Sequence, residues 1–263
     1  MTLDHILIIA LFVVLPIEGV LTMRKLVRAV QSGDARARSA AYIKTMGLEW
    51  TLLAAVLIAW IICGRSWDTL GVKLGGIWPS LLGVLALVMI GALLRMQHRG
   101  VQRLTSEQLA RIRARQRETL VLLPANAWER RLFIMLAITA GVCEEFLYRG
   151  FAMWYLTHWL NPWVGMLAAS AAFGLAHAYQ GPKGIVRTGL VGAMFGSLYL
   201  LSGSLLWPII GHAAVDLAAG MLAKRLGDSA SGENPSAAPS PIVRSSADKA
   251  TDAPASVAVG LAP

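Results

Sequence analysis

Charge is what this sequence has least of. Charged residues make up 15% of its 263 positions, against about a quarter in a soluble domain, and that shortfall excludes an ordinary soluble enzyme. Acids are scarcer than bases, with 15 Asp+Glu against 24 Lys+Arg and a net charge of +9. Cysteine is nearly absent. Cys63 and Cys143 each sit in an apolar run, which excludes a secreted disulfide scaffold and reads as two buried thiols. There is no internal repeat and no HExxH zinc-protease pair. Apolar residues fill the rest, 56% of the chain, and they come in long blocks. That pattern is a polytopic membrane protein of the all-α class. Its basic excess belongs to loops held in the cytoplasm rather than to a nucleic-acid partner.

A membrane-crossing helix needs about 20 mostly apolar residues. Seven stretches qualify: 6–23, 46–63, 77–94, 132–160, 163–179, 188–201 and 204–223. The fourth is long enough to tilt or to break, and a break near Gly150 gives eight. Arg24, Lys25 and Arg28 follow the first stretch at once, so it reads as a retained helix rather than a removed signal peptide. Basic residues crowd the segments after spans one, three, five and seven, whereas the alternate loops hold only Arg65 and Lys73. A seven-span chain therefore has its N-terminus outside and its C-terminus in the cytoplasm of a cell (inner) membrane protein. The connector 105–122 reads as helical, with Thr105 and Gln108 in capping-box spacing. Its arginines suit either anionic headgroups or open solvent. Three parts follow: membrane helices and basic connector over 1–131, a core over 132–226, and a disordered Ser/Ala/Pro-rich tail over 227–263.

An ionisable group inside the bilayer costs a few kcal/mol or more, so each one should face the protein interior and have a role. Within the spans these are Glu18, Glu144, Glu145, Arg149, His177, His212 and Asp216, while Glu49 and His158 lie near span ends, where headgroups and water solvate them. Glu18 has no partner in the sequence and reads as structural or interfacial. Glu145 and Arg149 stand at i and i+4, as do Phe173 and His177, and His212 and Asp216. Three helices thus each present a polar face, and one shared intramembrane site satisfies them all. Adjacent Glu144 and Glu145 cannot both stay ionised without compensation. One pairs with Arg149, which leaves the other poised as a general base.

These residues resemble the motifs of the CPBP family of intramembrane proteases, the type II CAAX prenyl endopeptidase and bacteriocin-processing group. Glu144-Glu145-Phe-Leu-Tyr-Arg149 is similar to its EExxxR motif, Phe173-Gly-Leu-Ala-His177 to FxxxH, and His212-Ala-Ala-Val-Asp216 to HxxxN/D, in the same order over about 132–223. The resemblance implies an intramembrane endopeptidase, a hydrolase acting on a membrane-associated peptide or protein at the lipid bilayer. Glu144 and His177 would activate water, and His212 and Asp216 would stabilise the oxyanion. Glu145, Arg149 and Phe173 would order the site. Prenyl-protein proteases of the family usually carry Asn where this chain has Asp216, and ionised Asp cannot donate to an oxyanion.

Two mechanisms stay open. A divalent metal such as Zn could be held by Glu144, His177 and His212, or the same residues could hold a water directly. Two non-protease readings also remain. One is a scaffold, immunity or chaperone protein that keeps the polar cluster as a structural core, and the other is a proton-coupled transporter. The residues do not report whether a substrate is prenylated, nor the oligomeric state.

Overall fold

The computed structural model describes residues 2–115 and 119–231. The chain is all-helical, with no strand among the described residues. Helix α1 spans Thr2–Gln31, α2 Ala37–Ile62 and α3 Ile77–Gln102. The connector carries the short helix α4, Ser106–Arg115. A composite helix α5 covers 127–156, and α6 spans Pro162–Ala176, α7 Gly181–Ser202 and α8 Leu206–Ser231. Each of the seven apolar stretches falls on one of these helices. Four helices are long and apolar enough to cross a membrane: α1, α2, α3 and the segment Ala178–Ser202. The apolar helices Pro162–Ala176 and Leu206–Gly220 are shorter. Helix α5 carries Glu129, Arg130, Arg131, Glu144, Glu145 and Arg149 along its length.

Local chemistry sets the ends. Asn126 starts α5 by accepting from the Glu129 amide (2.9 Å), while the Glu129 carboxylate accepts from the Ala125 amide (2.7 Å). Asn161 caps α6 through the amides of Trp163 and Val164, and Pro162 fills the first turn, where its missing N–H costs nothing. Gly203, at φ 65°, ends α7 in the left-handed conformation that glycine adopts freely. Thr105 and Gln108 form the expected capping box; the α-helix they start is described to Arg115, and 3-10 geometry occupies Thr119–Leu122. Helix α8 runs on to Ser231, past the boundary expected at 227. The rest of the expected tail, 232–263, lies outside the described residues.

Two helices depart from α geometry. In α1 a π-turn occupies Ala10–Val14, just before Pro16, whose ring and missing N–H prevent a regular ladder there. In α5 the α-helix Ala127–Glu144 opens into π geometry over Glu145–Ala152 and then closes at Met153–Leu156. The long fourth stretch is therefore neither straight nor broken at Gly150. Its wide turns coincide with the EExxxR residues, and π-bulges concentrate at functional sites.

Helix α5 packs between α2 and α8, and α6 pairs with α7. At one end, Asp4 is buried and accepts two hydrogen bonds from Arg65 (2.8 and 2.7 Å), whose guanidinium lies over the Trp154 ring at 4.2 Å. This knot joins the starts of α1 and the ends of α2 and α5. At the other end Glu18 accepts from Thr22 (2.6 Å) and from Lys44, so the partner absent from its own neighbourhood comes from α2. Outward faces carry large apolar side chains, among them Ile58, Ile61, Leu85, Val88 and Leu93, as a lipid-facing surface requires. Cys143 is buried, but Cys63 at the end of α2 is exposed, contrary to its reading as a buried thiol.

Helices α5 and α8 meet at Gly141. A Cβ there would lie 2.9 Å from both the Cβ and the backbone N of Ala213, closer than packed atoms tolerate. Gly141→Val is therefore expected to destabilise the protein by about 1–3 kcal/mol and to separate the two helices. Thermal unfolding in detergent micelles checks this, with Gly91→Val, at a glycine with open space around it, as the control that should change little.

Candidate active site

The motif residues converge where α5, α6 and α8 meet. At the centre is Glu145, fully buried. Its Oε1 accepts from Arg149 Nη1 at 2.9 Å and from His212 Nδ1 at 2.7 Å. The expected i,i+4 pair is thus present, and it extends to a third helix. Arg149 is held from three sides. Its Nη2 donates to the Gly192 carbonyl at 3.0 Å, and its guanidinium lies 4.5 Å above the Phe173 ring. Phe173 sits edge-on to Tyr148 and packs against both imidazoles. Phe195 stacks on His212 with a ring separation of 5.5 Å. A buried charge needs such partners, because removing it from water without them costs several kcal/mol.

Glu144 has the other environment. Its side chain is 15% exposed, against 0% for Glu145, and it turns toward a cavity of about 160 Å³. His177 and Asp216 line the same cavity. His177 Nδ1 is 2.9 Å from the Phe173 carbonyl. That contact requires Nδ1–H as donor and leaves Nε2 as a free acceptor. His212 does not line the cavity. Its Nε2 stands 3.6 Å from both Glu144 Oε2 and Asp216 Oδ2, so it backs the two carboxylates. Glu144 Oε2, Glu145 Oε2 and Asp216 Oδ1 are buried with no hydrogen-bond partner among the described residues.

Three cavity groups were not singled out from the sequence: Glu49, Tyr148 and Tyr179. Glu49 is the important one. Its place in the sequence suggests a span end, yet α2 begins at Ala37, which puts Glu49 at the helix midpoint. It is 8% exposed, and its Oε2 is without a partner. Glu18 lies on the cavity wall with its Lys44 bridge, and His158 stays exposed and outside.

The proposed metal ligands Glu144, His177 and His212 do not fit that role. Among the described residues, no group of three or more His, Cys, Asp or Glu side chains is arranged to hold a metal ion. Nδ1 of each imidazole is committed to a protein acceptor, which leaves Nε2 as the ligand atom, and His212 Nε2 faces two carboxylates rather than the cavity.

Residues 126–218, from the cap of α5 past the third motif, match the sequence model of the type II CAAX prenyl endopeptidase Rce1-like family. This agrees with the resemblance carried by the three motifs. No curated protein and no solved structure matches the chain.

Arg149→Met should destabilise the protein by about 3–5 kcal/mol, because it strands the Glu145 charge. The double variant Arg149→Met with Glu145→Gln should recover part of that loss. Thermal melts of the singles and the double give the coupling directly.

Proposed function

We propose that the protein is an intramembrane endopeptidase that cleaves a membrane-associated protein or peptide with water activated by Glu144 and His177. One observation carries the proposal. Of two neighbouring glutamates, one gives its Oε1 to Arg149 and His212 in the helical interface, while the other faces a cavity alongside a histidine whose Nε2 is free. Only Glu144 of the pair reaches the cavity wall.

In this mechanism a water sits between Glu144 and His177 Nε2. Glu144 takes a proton as the water oxygen adds to the scissile carbonyl carbon. His212 carries Nδ1–H toward Glu145 and turns Nε2 toward the carboxylates of Glu144 and Asp216, so it supports the base from behind the cavity wall. As the tetrahedral intermediate collapses, the C–N bond breaks, and the proton held by Glu144 passes to the leaving amine. The products are a carboxylic acid and an amine, with one water consumed. Glu145 and Arg149 stay charged throughout and hold His212.

The cavity walls support a membrane-associated substrate. Leu15, Leu26, Leu48 and Leu136 line it beside the polar groups, as an apolar segment needs. It also reaches Thr22 and Tyr42, beside the basic stretch 24–44. With seven spans and the N-terminus outside, that proximity supports cleavage in the cytoplasmic half of the bilayer.

Glu144→Gln should lower cleavage by roughly 10²–10⁴-fold, the range of a lost general base, while leaving the melting temperature close to that of wild type. Comparative terminal proteomics of membranes that express either form checks it. The same set of new termini in both would refute the assignment of the base.

A further inference from the structure

The cavity has more carboxylates than hydrolysis uses. Its wall includes Glu18, Glu49, Glu144 and Asp216 and, among the described residues, no Lys or Arg. Glu18 is bridged by Lys44. Glu144 is occupied with water in the mechanism above. Glu49 remains, on α2 and 8% exposed, while Asp216 on α8, 4% exposed, turns one oxygen toward His212. Each has an oxygen, Glu49 Oε2 and Asp216 Oδ1, with no hydrogen-bond partner among the described residues. Glu49 faces the same cavity as Glu144 and Asp216. Buried carboxylates gathered in this way repel one another unless a positive charge joins them.

Resting on the protease reading, we propose that the cavity binds a cationic side chain of the substrate, a lysine ammonium or an arginine guanidinium, beside the scissile bond, with Glu49 as its principal partner. The leucine walls cover the aliphatic stem of such a side chain, as they would any long amphipathic group. Tyr148 and Tyr179, on the same wall, offer ring faces to the charge. Glu49 sits across from Glu144, so the cation lies on the α2 side of the substrate while water attacks from the α5 side. Glu49 is a specificity residue in this account and takes no proton from the reacting water.

A pair of isosteric probes tests it. Fluorescent palmitoylated peptides carry either lysine or norleucine, which lacks only the amine, at each position in turn. The full-length protein in nanodiscs is tested by anisotropy for binding and by mass spectrometry for cleavage. At one position the lysine peptide should bind at least about tenfold more tightly, since a site built for a polar group rejects the analogue that lacks it. Glu49→Gln should reduce that ratio to about twofold or less. Equal binding of lysine and norleucine peptides by wild type at every position would overturn the inference, and that result stands whether or not the variant folds. A ratio unchanged in a folded Glu49→Gln protein would equally overturn it. Lysine-selective binding without cleavage of any peptide would leave the cation site standing and remove the protease reading. Unselective cleavage would do the reverse.

Discussion

The site depends on a single shared oxygen. Glu145 Oε1 accepts from both Arg149 and His212, and through it α5 fixes a side chain of α8. Arg149 in turn reaches α7 at the Gly192 carbonyl and α6 at Phe173. One buried carboxylate therefore sets the relative positions of four helices. Such a network is costly if any member is missing and rigid when all are present. Rigidity is what a hydrolytic site needs, since catalytic groups must be held near their working geometry before substrate arrives.

The neighbouring glutamate can then differ. Glu144 and Glu145 are adjacent in the chain, but one ends the regular helix and the other begins the π stretch. The wider turns direct one carboxylate into the helical interface and the other toward the cavity. Gly141, one turn earlier, lets α8 approach closely enough for His212 to reach both. Sequence, backbone geometry and close packing thus divide two identical side chains between a structural and a reactive setting.

Much of this was legible in the residues. Charge scarcity and apolar blocks gave the all-α membrane class, and i,i+4 spacing gave the Glu145–Arg149 pair. The three motifs gave the cluster, because ionisable groups in apolar helices have few other ways to be satisfied. What was not legible depended on contacts between distant segments. Glu18 meets Lys44, and Asp4 meets Arg65, across separate helices. Glu49 was misjudged for a definite reason. Arg36, Arg38 and Lys44 depress the hydropathy of the first turns of α2, so the apolar window starts late and a mid-helix glutamate looks terminal. The π geometry of α5 leaves no mark in the composition, and neither does the retreat of His212 behind the two cavity carboxylates.

The central claim is that water, activated at the Glu144–His177 wall, is the nucleophile. Oxygen labelling tests it most directly. Membranes containing the wild-type protein or its His177→Ala variant are incubated in H₂¹⁸O, and new peptide C-termini are read by mass spectrometry. The account predicts C-termini bearing a single ¹⁸O that arise with wild type and are lost with His177→Ala. The same labelled termini at the same rate from both proteins would contradict it.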